Sequence, residues 1–187
     1  MEYTSLDGEL NIETKKMNKE YESLDEEFNI ETKKMYHKWF NKYIEAGKKD
    51  AFKNAVIAMG KTYHVLRTLP KKYRKAFFKD IWKYKDEIKK GNYDWTKKIE
   101  RQNFYSYLSK VCYLMSPEKY KIIYDTNNQI RLKELYPERT WNPKNWQKNI
   151  DEIFGDLDKK FKGKLKTYEE DSPEYYFCLD FLLWESN

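Results

Sequence analysis

The chain has 187 residues and a net charge of +6, with 36% charged and 18% aromatic residues, 17 of them tyrosine, against only 6 glycines and 5 prolines. That length suits one compact domain with an appendage, and scarce Gly and Pro beside plentiful Lys and Glu predict an all-α fold with short loops. A zinc centre and a membrane span are excluded: His37 and His64 stand alone, Cys112 and Cys178 sit in apolar runs as small hydrophobes, and no run approaches ~20 apolar residues.

No signal-peptide-type stretch opens the sequence, so a cytoplasmic protein is expected. Charge is unevenly spread. Residues 1 to 35 carry 10 acids and 5 bases, residues 167 to 187 carry 6 acids and no bases, and the intervening body has a net charge of +17. A body that basic is the electrostatic footprint of a polyanion partner, with nucleic acid the natural one.

The N-terminus is duplicated: EYTSLDGELNIETKKM (2 to 17) recurs as EYESLDEEFNIETKKM (20 to 35), differing at three positions. The 18-residue period equals five helical turns, which would put Tyr3, Leu6, Leu10 and Met17 on the same stripe as Tyr21, Leu24, Phe28 and Met35. Ser23 and Glu26 form a capping box in the second copy, where the first has Gly8, so the second is expected to be the better helix. Residues 1 to 35 are therefore read as an acidic helical arm on a single domain, 36 to 187, its stripe available to the body or to a second copy of the chain.

Beyond the arm, Tyr36, Trp39, Phe40, Tyr43 and Ile44 share a helical face that Gly47 closes, and a helix opened by Asp50 carries Phe52, Val56, Met59, Tyr63 and Leu66 and stops at Leu69-Pro70. Pro70 starts a third, with Tyr73, Phe77, Ile81, Trp82 and Ile88 inward and Lys71, Lys72, Arg74, Lys75, Lys79, Lys83, Lys85, Lys89 and Lys90 outward, ending near Gly91. With so few acids interleaved, the outward face is a candidate phosphate-binding surface. GNYDWT (91 to 96) reads as a turn capped by Asp94 or Thr96, leading into a helix through Ile99, Phe104, Leu108 and Val111.

The stretch Phe104 to Leu132 holds the candidate site. Ser116-Pro117 ends its apolar helix, Tyr120 to Tyr124 reads as a short extended segment, and Asp125 has the form of an N-cap for TNNQIRLKEL. Lys110 and Asp125 can therefore converge. Further on, ERTWNPKNW (138 to 146) combines Arg139, Trp141, Lys144 and Trp146, a mixture suited to stacking on bases and pairing with phosphates, although Trp146 also fits the apolar face of the next helix with Ile150 and Ile153. Phe154-Gly155 is expected to end that helix, Leu157, Phe161 and Leu165 to mark another, and Ser172-Pro173 to open a final helix apolar nearly all round. Asp180 is the odd residue in it and calls for a buried cationic or N–H partner.

Ser109-Lys110, Pro117, Tyr124-Asp125, Asp180 and Leu183-Trp184 together resemble a pattern in small helical proteins of bacteria and their mobile elements, distantly similar to the helix-hairpin-helix DNA glycosylase fold. The resemblance covers residues 95 to 187. It implies DNA binding, an Asp that caps a helix beside the hairpin, here Asp125, and, in bifunctional members, a nucleophilic Lys, here Lys110. The hairpin glycines have no counterpart in TKKIERQNFYSY.

No P-loop, HExxH motif, nucleophile elbow or cysteine cluster anchors a hydrolase or phosphotransferase, and no cofactor is called for. Three classes remain: a nucleic-acid-binding helical protein of glycosylase-like ancestry, as the resemblance implies, from a mobile-element or phage-defence setting; an active glycosylase or lyase using Asp125 and Lys110; and a protein-interaction module such as a phage-encoded inhibitor or a structural subunit.

Overall fold

The computed structural model describes residues 26–92 and 104–185, with the side chains of 26–28 left aside. The first repeat copy, most of the second copy's stripe and the expected cap at Asp94 or Thr96 lie outside the described residues. Within them the protein is all helical, with no strand.

The helices are α1 (Glu26–Glu45), α2 (Lys49–Thr62), a 3-10 turn (Leu66–Thr68), α3 (Lys71–Lys83), α4 (Lys85–Lys89), α5 (Tyr105–Met115), α6 (Pro117–Tyr120), α7 (Thr126–Leu135), α8 (Trp146–Phe161) and α9 (Pro173–Glu185). Nine consecutive residues are buried in α5, Tyr107 to Met115, and nine in α9, Tyr175 to Leu183. A helix buried on every side has to be surrounded by others, and both helices pack against α1. α1 also packs on α2, and it runs unbroken across the junction between residues 35 and 36, so the end of the duplicated segment is part of a core helix.

Tyrosines join these layers through their polar tips. Tyr107 on α5 donates to the Val56 carbonyl of α2 at 2.6 Å, and Tyr113 donates to the Tyr176 carbonyl of α9 at 2.7 Å. The Tyr107 ring lies against Gly60, where an added Cβ would sit 2.6 Å from its Cζ; only glycine lets α2 and α5 come this close.

Local signals and observed boundaries differ at four places. α2 ends at Thr62 rather than at Leu69-Pro70, because His64 turns into the left-handed region (φ 53) and the chain tightens into the 3-10 turn. Residues 71 to 91 form two helices, α3 and α4, and Gly91 (φ 73) closes the second as expected. Tyr120 to Tyr124 is not extended throughout: Pro117 starts a one-turn helix that Lys121 (φ 48) stops. Gly155 does not end α8, which continues to Phe161 because Ile150, Ile153, Leu157 and Phe161 keep one buried stripe across it. Tertiary burial of that stripe outweighs the roughly 1 kcal/mol by which glycine disfavours a helix.

Candidate functional site

Two places carry chemistry: a buried polar chain at the junction of α1, α5, α7 and α9, and a basic face on α2 and α3.

In the buried chain, the Asp125 Oδ1 atom accepts the backbone N–H of Asn128 at 2.9 Å, an N-cap of α7, while its Oδ2 lies 3.3 Å from Lys110 Nζ. Asn128 then turns its side-chain amide inward and donates Nδ2 to the Ile123 carbonyl and to Asp180 Oδ1, both at 2.9 Å. Two acceptors at that end fix the amide's orientation, since an oxygen there would face a carboxylate and a carbonyl. Asp180 Oδ1 also accepts the Ile123 N–H at 2.8 Å, and its Oδ2 pairs with Lys33 Nζ at 2.9 Å.

Lys33 in turn donates to the Phe177 carbonyl at 3.2 Å and stands 5.8 Å from the Tyr113 ring centroid. Lys33 is 3% and Asp180 4% exposed, so the pair has left water and is held by the hydrogen bonds around it. Burial also pushes the Tyr113 phenol well up, with the Asp180 charge adding to it.

The sequence-predicted catalytic pair is thus brought together, and so is the partner that Asp180 called for. The geometry is that of a fold-holding network. Lys110 is 6% exposed and its amine rests on Asp125, whereas a Schiff-base nucleophile must present its amine to a cleft. Sequence reasoning missed Lys33. Its partner lies 147 residues away, and the available signal was an acid inside an apolar helix, which demands a cation without saying which.

The basic face has a different character. Residues 46–84 contain 11 Lys or Arg and 2 acids. Lys71, Lys72, Lys75, Lys79 and Lys83 are exposed, and among the described residues none of them has an ion-pair partner. Lys72, Lys75, Lys79 and Lys83 fall within an arc of about 80° on α3, at roughly 6 Å intervals along its axis. Phe77, Phe78 and Ile81 anchor the opposite side in the core.

This arrangement costs helix stability. Lys71 and Lys72 occupy the first turn of α3, which has no acid, against the macrodipole, and Lys71–Lys75, Lys75–Lys79 and Lys79–Lys83 are like-charge i,i+4 pairs. Lys72 and Lys83 also lie over the Tyr73 and Tyr84 rings at 4.9 Å.

The remaining expected nucleic-acid residues separate: Lys85 pairs with Asp86 at 3.0 Å and Lys89 with Glu45 at 4.0 Å, whereas Lys90 is exposed. Arg74 is turned back, donating Nε to the Leu69 carbonyl at 3.1 Å and Nη2 to Leu66 at 3.3 Å, which satisfies the 3-10 turn. Arg139 is held by Glu152 at 2.5 Å, and Lys144 is exposed on its loop. Trp141 is 4% exposed, edge-on to Trp146 with ring centroids 5.6 Å apart, and donates its indole N–H to the Tyr136 carbonyl; it has no face to offer a base.

Among the described residues no group of His, Cys, Asp or Glu is placed to hold a metal ion, and no helix is long and apolar enough to cross a membrane. No family model, curated protein or solved structure significantly matches the chain.

Proposed function

We propose that the protein binds nucleic acid through its phosphates, with the lysine face of α3 as the contact and Lys110 and Asp125 serving the fold. The observation that carries this reading is the run of exposed lysines on α3 with no ion-pair partner among the described residues, kept despite its cost to the helix. Exposed lysines lining one helix can displace condensed counterions from a phosphate backbone, a sequence-independent attraction that weakens with salt. With Trp141 and Trp146 buried, the surface lacks a stacking platform there, so binding should be indifferent to base sequence.

The test is affinity for duplex DNA and RNA across a salt series. About four phosphate contacts give a log–log slope of about −3.6, or roughly a hundredfold loss of affinity between 50 and 200 mM salt. The K72E/K75E/K79E variant should lose most of that slope, whereas K110A should leave the slope unchanged. Wild-type binding no tighter than that of the triple variant at low salt rejects the reading.

A further inference from the structure

Residues Asn29 to Met35 are the part of α1 that closes the buried chain. Ile30 and Thr32 are buried, Lys33 reaches Asp180, Met35 packs against the core, and at the rim Lys34 Nζ is 3.6 Å from Glu174 Oε1. The same seven residues, NIETKKM, stand 18 positions earlier as Asn11 to Met17. Every side chain that the slot between α5 and α9 takes from this stretch therefore exists twice in the chain. Identity stops there, since the fully buried Tyr36 corresponds to Asn18.

We propose that this slot is an exchangeable docking site whose alternative occupant is residues 11–17 of the same chain, with Lys15 taking the place of Lys33 on Asp180 and Lys16 that of Lys34 at Glu174. The slot is selective because its floor is a buried carboxylate: a segment that fills it must bring a lysine three residues after an isoleucine, as both copies do. In the exchanged register Tyr36 and everything after it stay seated, and residues 18–35 leave as a loop joining Met17 to Tyr36.

Closing such a loop lowers the population of the exchanged register without forbidding it, because closure entropy grows only with the logarithm of loop length. The resident register keeps α1 continuous and dominates. A tethered segment has an effective concentration of order mM, which favours the chain's own copy over that of a second molecule at ordinary concentrations. This inference is independent of nucleic-acid binding.

The test traps each register in the full chain with a short bismaleimide, the buried Cys112 and Cys178 being left in place. K34C/E174C reports the resident register, K16C/E174C the exchanged one, and K15A/K16C/E174C the exchanged one stripped of the lysine that Asp180 requires. K16C/E174C should crosslink within one chain more slowly than K34C/E174C but at least about tenfold faster than K15A/K16C/E174C, and adding K33A should speed it further. A K16C/E174C rate no greater than that of K15A/K16C/E174C, or a product only between chains, overturns the proposal.

A cysteine-free measurement gives a second arm. K15A should leave the melting temperature of the wild-type chain unchanged and lower it in a K33A background. Additive effects of the two substitutions, or a K33A chain that fails to fold although Lys15 is intact, would also overturn the proposal.

Discussion

Residues 46–84 and residues 104–185 use charge in opposite ways. The first segment holds 11 bases and 2 acids, and the second 13 bases and 14 acids. In the second, cations find acids: Lys121 with Asp151, Arg131 with Glu134, Arg139 with Glu152, Lys160 with Asp156 and Lys162 with Glu170. In the first, among the described residues, no ion pair forms. Charge in the C-terminal half is thus part of how the chain holds itself together. On α2 and α3 it is turned outward, on α3 at a cost to the helix, and the proposed phosphate contact rests on that. A net charge of +6 for the whole chain conceals this division.

Deleting one charge from each region separates them most widely. Asp180→Ala leaves Lys33 buried without its counter-ion and should cost about 3–5 kcal/mol, whereas Lys75→Ala should stay within about 0.5 kcal/mol; urea unfolding of the two variants measures both. Equal effects would erase the distinction between structural and surface charge.

Alkali attacks two contacts of α5, one across the seam where the regions meet and one within the second region. Burial pushes the Tyr107 and Tyr113 phenols above their ordinary range, to which the nearby Asp180 charge contributes for Tyr113. The unfolded chain releases these protons near pH ~10 while the folded chain retains them, so stability is intact below pH ~10 and falls above it, by about 1.4 kcal/mol per pH unit for each phenol. Unfolding midpoints between pH 8 and 11 should show the decline, and Tyr107→Phe should make it shallower.

Gly60→Ala is expected to cost about 1–2 kcal/mol. Overpacking against the Tyr107 ring outweighs the better helix propensity of alanine, and a lowered melting temperature checks it. The smallest effect concerns sign. Lys79→Glu places an acid between Lys75 and Lys83 and should stabilise α3 by about 0.5 kcal/mol, whereas Lys121→Glu, facing Asp151, should destabilise by up to about 1 kcal/mol. Two changes of the same sign would mean that the regions do not differ in how their charges are balanced.

Features set by neighbouring residues were legible in the sequence. Asp125 caps α7 because the N–H it accepts is three residues away, and Ser172 caps α9 by accepting the Tyr175 N–H in the same way. The centrality of α5 and α9 followed from their lack of a polar side. Features set by distant chain were not legible. Gly155 looks like a terminator until the stripe from Ile150 to Phe161 meets the core, and Trp141 looks like a binding residue until Trp146 and the Tyr136 carbonyl enclose it. Asp180 announced a need for a cation, but only the fold brings Lys33 to it.

The phenol contacts of α5 have a mechanical consequence. A helix held only by greasy contacts can slide or roll to a nearby setting at little cost. Tyr107 and Tyr113 are six residues apart and so project about 120° from one another around the axis. Each fastens on a backbone carbonyl of a different neighbour, Val56 of α2 and Tyr176 of α9. Rolling α5 either way breaks one of these directional bonds and leaves a buried hydroxyl unsatisfied. The two phenols act as opposed pins that set the angular position of the central helix, a service that phenylalanine in either place would supply in bulk but not in direction.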